Sequence, residues 1–340
     1  MDTRRSPLAA LLAAALALAG CGLNRPDPTT VQDLRVLGMS LAPPDLLIPQ
    51  CDPGLIVGLA AAAADGGLPS LDPALVARLL LVAARPIRLT TLIADPAGEG
   101  RPLNYRLLGC SATSDRDCNA EGQYVELTRG TTGPGELSLV IAPALQILPD
   151  DAGTPLLLSV VQHDTFKGLG GIRVPLVLDL QTADAGEHIY AQKLMVYTCQ
   201  FFPSQQANVT PVLPGLTWQG GADAGVEDWP EGQVRTWRGT GEVTLRPVDF
   251  SALEERYVVP SLTLSPVQLQ ESWKLNWLTT SGTMESYQTG GTNQAGITSR
   301  HRNAWRPDPK GVAGRVTFWV VARDGRGGES WISRQVDWSP

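Results

Sequence analysis

Cysteine and tryptophan occupy separate parts of this chain. All five cysteines lie at or before Cys199 and all nine tryptophans lie at or after Trp218. A core held by cross-links and a core filled by large aromatics are different solutions to the same packing problem. The 340 residues are therefore expected to form two domains, each of a usual size of ~100–200 residues. The polar stretch around Pro203, residues 202–207, marks the boundary between a first domain over 34–203 and a second over 208–340.

With 35 glycines and 27 prolines, these two residue types make up nearly one position in five, against a usual ~12%. That excess favours short strands joined by turns over a helical bundle. Apolar runs at 34–41, 89–94, 103–108, 137–142, 156–162, 172–180 and 189–198 are bounded by Gly, Pro or Asp and read as strands. Pro175 lacks a ladder donor and demotes its strand to an edge or a bulge. An insertion at 51–84 differs in character: Asp72 suits a helix cap and Pro73 a first turn, so 74–84 reads as one short helix. Beyond the boundary, Trp273, Leu275 and Trp277 share one face of a strand, and 316–323, 324–328 and 331–336 form strand, turn and returning strand. Asp-Ala-Gly recurs at 151–153, 184–186 and 223–225, each expected to be a turn with its glycine at positive φ.

The N-terminus has its own logic. Arg4 and Arg5 precede a run of only Leu and Ala at 8–19, then Gly20 and Cys21. This is the pattern of a secretory signal peptide over 1–20, and its apolar core is shorter than the ~20 residues of a membrane span. Residues 21–33, with Pro26, Pro28 and paired threonines, read as a tether. Leu18-Ala19-Gly20-Cys21 resembles the bacterial lipobox. That resemblance implies a lipidated Cys21 at the mature N-terminus and a membrane link through several acyl chains, each buried CH₂ contributing ~0.8 kcal/mol. Gly22, where an aspartate would retain such a lipoprotein at the inner membrane, implies the outer membrane, on its periplasmic or its surface face.

Setting Cys21 aside leaves Cys51, Cys110, Cys118 and Cys199, an even number with three possible pairings. Cys110 and Cys118 bracket a polar loop and are the expected local pair, worth roughly 2–3 kcal/mol. Cys51 with Cys199 would then tie the start of the first domain to its end. No C-x-x-C is present, so no metal is expected.

Residues 320–328 followed by Trp331 look like the last hairpin of bacterial immunoglobulin-like modules, similar to those in surface lipoproteins of myxobacteria and their relatives. Residues 34–46 and the Asp95-Pro96 pair look like the opening of the same modules. The resemblance implies a mostly β envelope lipoprotein of two immunoglobulin-like β-sandwiches, from which the 51–84 insertion departs. Such modules share no catalytic residues, so none is carried over.

The residues themselves offer little chemistry. The three histidines, His163, His188 and His301, stand in strand-end, turn and loop contexts and read as solvated, and no G-x-S-x-G is present. The acidic run Glu227-Asp228-Trp229 with Glu231 lacks the ligand spacing of a calcium loop, and no cofactor is expected. A formal charge of −7 argues against nucleic acid as a partner. Trp218, Trp229, Trp237 and Trp305 lie among Gly, Pro and charged residues, where exposed aromatics form platforms for sugar rings or protein hot spots. The expected function is non-catalytic binding or scaffolding through loops of the second domain, with an envelope protein or polysaccharide as partner. The alternatives are a carbohydrate-binding module using those four tryptophans and an envelope enzyme with an unadvertised site.

Overall fold

The computed structural model describes residues 27–49, 85–110, 118, 124–141, 156, 160, 170–263, 265–291 and 301–340. The signal peptide, Cys21, Cys51, the 51–84 insertion with its helix, and His163 lie outside these residues.

Alternating apolar residues build eight strands in the first half. They are β1 (Arg35–Ala42), β2 (Leu46–Ile48), β3 (Ile87–Ala94), β4 (Leu103–Cys110), β5 (Tyr124–Thr132), β6 (Gly135–Ile141), β7 (Ile172–Thr182) and β8 (His188–Cys199). They form a sheet of order β1-β3-β6 and a second of order β2-β8-β7-β4-β5. Met39, Leu89 and Ile141 from the first sheet meet Leu107, Leu178 and Tyr197 from the second in one core. Each fully buried aliphatic side chain there contributes ~1.5–3 kcal/mol.

Twelve strands follow: β9 (Leu216–Gly220), β10 (Glu227–Trp229), β11 (Val234–Arg238), β12 (Val243–Pro247), β13 (Arg256–Pro260), β14 (Pro266–Gln270), β15 (Lys274–Thr279), β16 (Thr283–Met284), β17 (Gln288–Gly290), β18 (Asn303–Arg306), β19 (Gly314–Arg323) and β20 (Glu329–Ser339). Sheets β10-β9-β12-β18-β16 and β11-β20-β19-β15-β17 enclose a second, aromatic core, and β13-β14 stands apart as a hairpin. The two halves repeat one plan. In each, a short strand runs parallel to the half's last strand, β2 to β8 and β11 to β20, at one end of a five-stranded sheet. Three further strands, β1-β3-β6 and β9-β12-β18, pair in the facing sheet. Two sheets sharing a core, with the early strand of each half split between them, make an immunoglobulin-like sandwich.

Three local expectations are corrected. β7, which carries Pro175, is interior to its sheet. Its ladder with β4 ends at Gly109↔Leu176, so the missing N–H points past the end of that pairing and no ladder bond is lost. Of the strand expected at 156–162 only Leu156 and Val160 are described; they have helical rather than extended backbone and, four positions apart, both enter the first core. An apolar run that short carries no period to separate strand from helix. At 184–186 the turn forms, but Ala185 takes the positive φ of 57° while Asp184 accepts the Gly186 N–H. At 223–225 it is the preceding Gly221 that does so, at 85°.

The tether is corrected too. Residues 27–33 are docked on the far half of the chain. Val31 donates to the Thr279 carbonyl at 2.8 Å, and Thr279 donates to that of Thr29 at 2.8 Å. The Thr30 hydroxyl reaches the Gly282 carbonyl at 2.7 Å, and the Met284 N–H reaches the Thr29 hydroxyl at 3.0 Å. Val31, fully buried, joins Leu37, Leu92 and Ala94 of the first sandwich and Leu278 and Val321 of the second in a third apolar cluster. The outer faces of β1-β3 and β15-β19 thereby pack on each other. Leu37→Ala should destabilise the protein by ~2–4 kcal/mol and split a single urea transition into two. A single unchanged transition would show that the seam does not couple the halves.

Candidate functional site

Where the halves meet beside the seam, the chain builds a cleft of about 1100 Å³. Its base is a run of polar contacts. The 200–211 linker is folded by Gln205, whose amide donates to the Cys199 carbonyl at 2.9 Å and whose Oε1 accepts the Phe201 N–H at 2.9 Å. The next contact is Asn208: its backbone N–H reaches Asp45 of the first sandwich at 2.9 Å, and its amide reaches Asp324 of the second at 2.7 Å. Asp324 also accepts the N–H groups of Arg326 at 2.6 Å and Gly328 at 2.9 Å, closing the β19–β20 turn. Gly325 and Gly327 supply the positive φ values of 82° and 109° that the turn requires.

The turn aims Arg326 at the foot of the β13–β14 hairpin. Its guanidinium donates to Glu255 and Glu271, each at 3.0 Å, and lies over the Tyr257 ring at 4.1 Å from the centroid. Alongside, Lys193 of β8 donates to Glu329 at 3.1 Å, and Glu329 also holds Arg323 at 2.7 Å. The Lys193 and Glu329 side chains are mostly buried, so removing one would strand the other. Burial pushes the carboxyls of Asp45 and Asp324 above the usual carboxylate range, partly offset by hydrogen bonds centred on Asn208.

One wall of the cleft is β8, through Gln192, Leu194 and Val196; the other is the hairpin, through Val259, Val267 and Leu269. Leu194, Val267 and Leu269 are about two-fifths exposed, and Leu262 at the hairpin tip is 87% exposed. An apolar lining left open to water over charge pairs satisfied within the chain is suited to binding.

The residues proposed from sequence go elsewhere. Trp218, Trp229, Trp237 and Trp305 all lie on strands. Trp218, Trp229 and Trp305 are buried, and Trp237 is half-buried with its edge on Trp218 at 5.9 Å. Trp218 meets Trp229 edge-on at 4.9 Å, and Trp305 meets Phe318 edge-on at 5.0 Å. The indole N–H of Trp305 reaches the Ser281 carbonyl at 2.9 Å. Their strands are three to five residues long, too short for alternation to stand out among flanking Gly and charged residues. No sugar platform forms from them. Trp273 and Trp277 fill the second core as expected, whereas Trp319 and Trp331 pack in the seam. His188 is exposed, as expected, but opens β8 rather than lying in the turn, with its imidazole against the Asp179 carboxylate, which Arg106 holds from the other side at 3.0 Å. His301 packs its ring on Phe250 at 4.5 Å. Glu227 lies on β10 paired with Arg235 at 2.5 Å. Among the described residues no group of three or more His, Cys, Asp or Glu is placed to hold a metal.

Cys110 and Cys118 form a disulfide, with Cα atoms 5.9 Å apart. Cys199 is disulfide-bonded as well, to a partner outside the described residues.

No protein-family model matches the chain, and neither does any curated protein. Among solved structures it is similar to fibronectin(III)-like modules of Clostridium thermocellum CbhA, at 10% identity over 75% of this chain and 86% of that one, with a TM-score of 0.18. Murine CEACAM1b matches at 10% identity over 74% and 92%, with a TM-score of 0.20. The C-terminal domain of the Streptococcus pyogenes antigen I/II-family protein AspA matches at 12% over 75% and 93%, with a TM-score of 0.21. At such scores these likenesses carry no function to the chain, and its sandwich architecture rests on its own strand order.

Trp305→Ala should cost ~3–5 kcal/mol of stability and leave any ligand binding of the folded fraction unchanged, measured by chemical denaturation and titration. A folded variant of normal stability would return Trp305 to the surface. For Asp45, a carboxyl raised in the folded state contributes stability that is present at low pH and lost as pH rises through its folded value. Asp45→Ala is therefore expected to destabilise more at pH 4 than at pH 7 in parallel urea titrations.

Proposed function

We propose that this chain is an envelope lipoprotein of two immunoglobulin-like domains, held at the outer membrane through lipid on Cys21, that binds a protein partner without catalysis in the cleft between its halves. The observation carrying this reading is the cleft itself: an open apolar lining between the β8 wall and the β13–β14 hairpin, over charge pairs satisfied within the chain. The hairpin belongs to the second half, whose connecting segments the sequence marks as the contact surface. With Cys21 lipidated, the partner of Cys199 is Cys51, closing the first domain. Asp27, six positions after Cys21, already sits at the docked strap. A stretch that long reaches ~20 Å, so the anchor lies close to the second domain and limits how far the cleft stands from the bilayer.

One experiment in cells tests both parts. A photo-crosslinking residue placed at Leu262, at the hairpin tip, is expected to capture a discrete envelope protein. The same residue at Val312, which is 89% exposed and outside the cleft lining, is expected to capture none. Cys21→Ser should move the protein out of the membrane fraction. Equal capture at both positions would overturn the cleft reading, and normal lipidation of Cys21→Ser would overturn the anchor.

A further inference from the structure

β8 is twelve residues long, yet on one side β2 covers only Tyr197, Thr198 and Cys199. Among the described residues no strand pairs with that side from His188 to Val196. The direction of the open groups follows from one bond. Gln200 donates its N–H to Ile48 of β2 at 2.9 Å, and the unbroken register with β7 from Ile172↔Tyr197 to Gln181↔His188 carries the alternation back along the strand. The N–H and C=O groups of Tyr190, Gln192, Leu194 and Val196 therefore point away from β7.

Natural edges are usually blunted by charge, proline, a bulge or shortness. This edge has none of these: the four outward-directed residues carry no charge, the register is continuous, and the strand is among the longest in the chain. By contrast β5, at the other end of the sheet, has a bulged register and an ion pair between Glu126 and Arg129 on its own strand. The edge of β8 also opens into the cleft rather than onto bulk solvent. Opposite it, the pairs Tyr257↔Leu269 and Val259↔Val267 put four apolar side chains on one face of the hairpin.

Resting on the cleft reading above, we infer that the partner enters as an extended segment of about seven residues that adds to β8 as a strand. Its backbone completes the ladder at Tyr190 to Val196, and its alternate side chains, apolar and uncharged, pack on the hairpin face. Main-chain bonds supply affinity and the hairpin supplies selectivity.

The probe is a display library of linear twelve-residue peptides selected on the purified protein. Peptides with apolar residues at alternate positions should be enriched, and their binding should slow amide exchange at residues 190, 192, 194 and 196, which exchange fast in the free protein. Leu194→Pro deletes an outward-pointing N–H without touching the β7 ladder and should weaken binding at least tenfold. Leu269→Lys, on an exposed side chain that folding does not require, should weaken it similarly. Undiminished binding to a folded Leu194→Pro together with loss in Leu269→Lys would overturn strand addition while leaving the cleft as the binding site. Slow exchange at 190, 192, 194 and 196 in the free protein, or no enriched peptide, would also overturn it.

Discussion

The seam around Val31 is the contact on which the arrangement of the whole molecule depends. Each sandwich has its own core, but the outer faces of β1-β3 and β15-β19 are apolar as well. Leu37, Leu92, Leu278 and Val321 would meet water if the halves stood apart, and Val31 fills the gap between them with no surface left exposed. This burial sets the distance between β8 and the β13–β14 hairpin, and so the width of the cleft. The polar contacts at its base then orient what the seam has brought together. Asn208 joins Asp45 to Asp324, and Lys193 joins β8 to Glu329. Apolar contact supplies most of the stabilisation, while the charge pairs, costly to desolvate, define one relative orientation.

Much of the fold is legible in the sequence where strands are long. Apolar patterning marks β1, β3, β7, β8, β15, β19 and the final hairpin, because strands of six or more residues outlast their flanks. It fails for β9, β10, β11 and β18, whose three to five residues sit among arginine, glutamate and glycine. The four tryptophans there look like loop residues for that reason, although no polar loop covers as much apolar area as a core does. The repeat of strand order between the halves leaves no trace in sequence. One core uses aliphatic side chains and the other tryptophan and phenylalanine, so equivalent positions share geometry and not residue type.

The cleft was less visible still. The polar linker reads as a boundary, but its Gln205 and Asn208 are buried, each folded into contacts with residues distant in sequence or across a turn. Nothing local in Lys193 or Arg326 signals that their partners lie 136 and 55 positions away. The paired threonines at 29 and 30 illustrate the same limit. Polar and next to proline, they suit a tether, yet β-branched residues equally suit an added strand, and only the distant Thr279 to Met284 segment decides between the two.

That strap bears on how the chain acquires its structure. Thr30 meets a partner 252 residues downstream, one of the longest loops the molecule closes. As the chain emerges N-terminus first, the first sandwich can collapse on its own aliphatic core, but its N-terminal flank has no resting place until Gly282 and Met284 have followed. Closure of so large a loop is slow, and until it happens Leu37 and Leu92 remain uncovered on a growing chain. The seam is therefore also the stretch most open to a chaperone, and a chain cut short before β15 would be half folded and still adhesive.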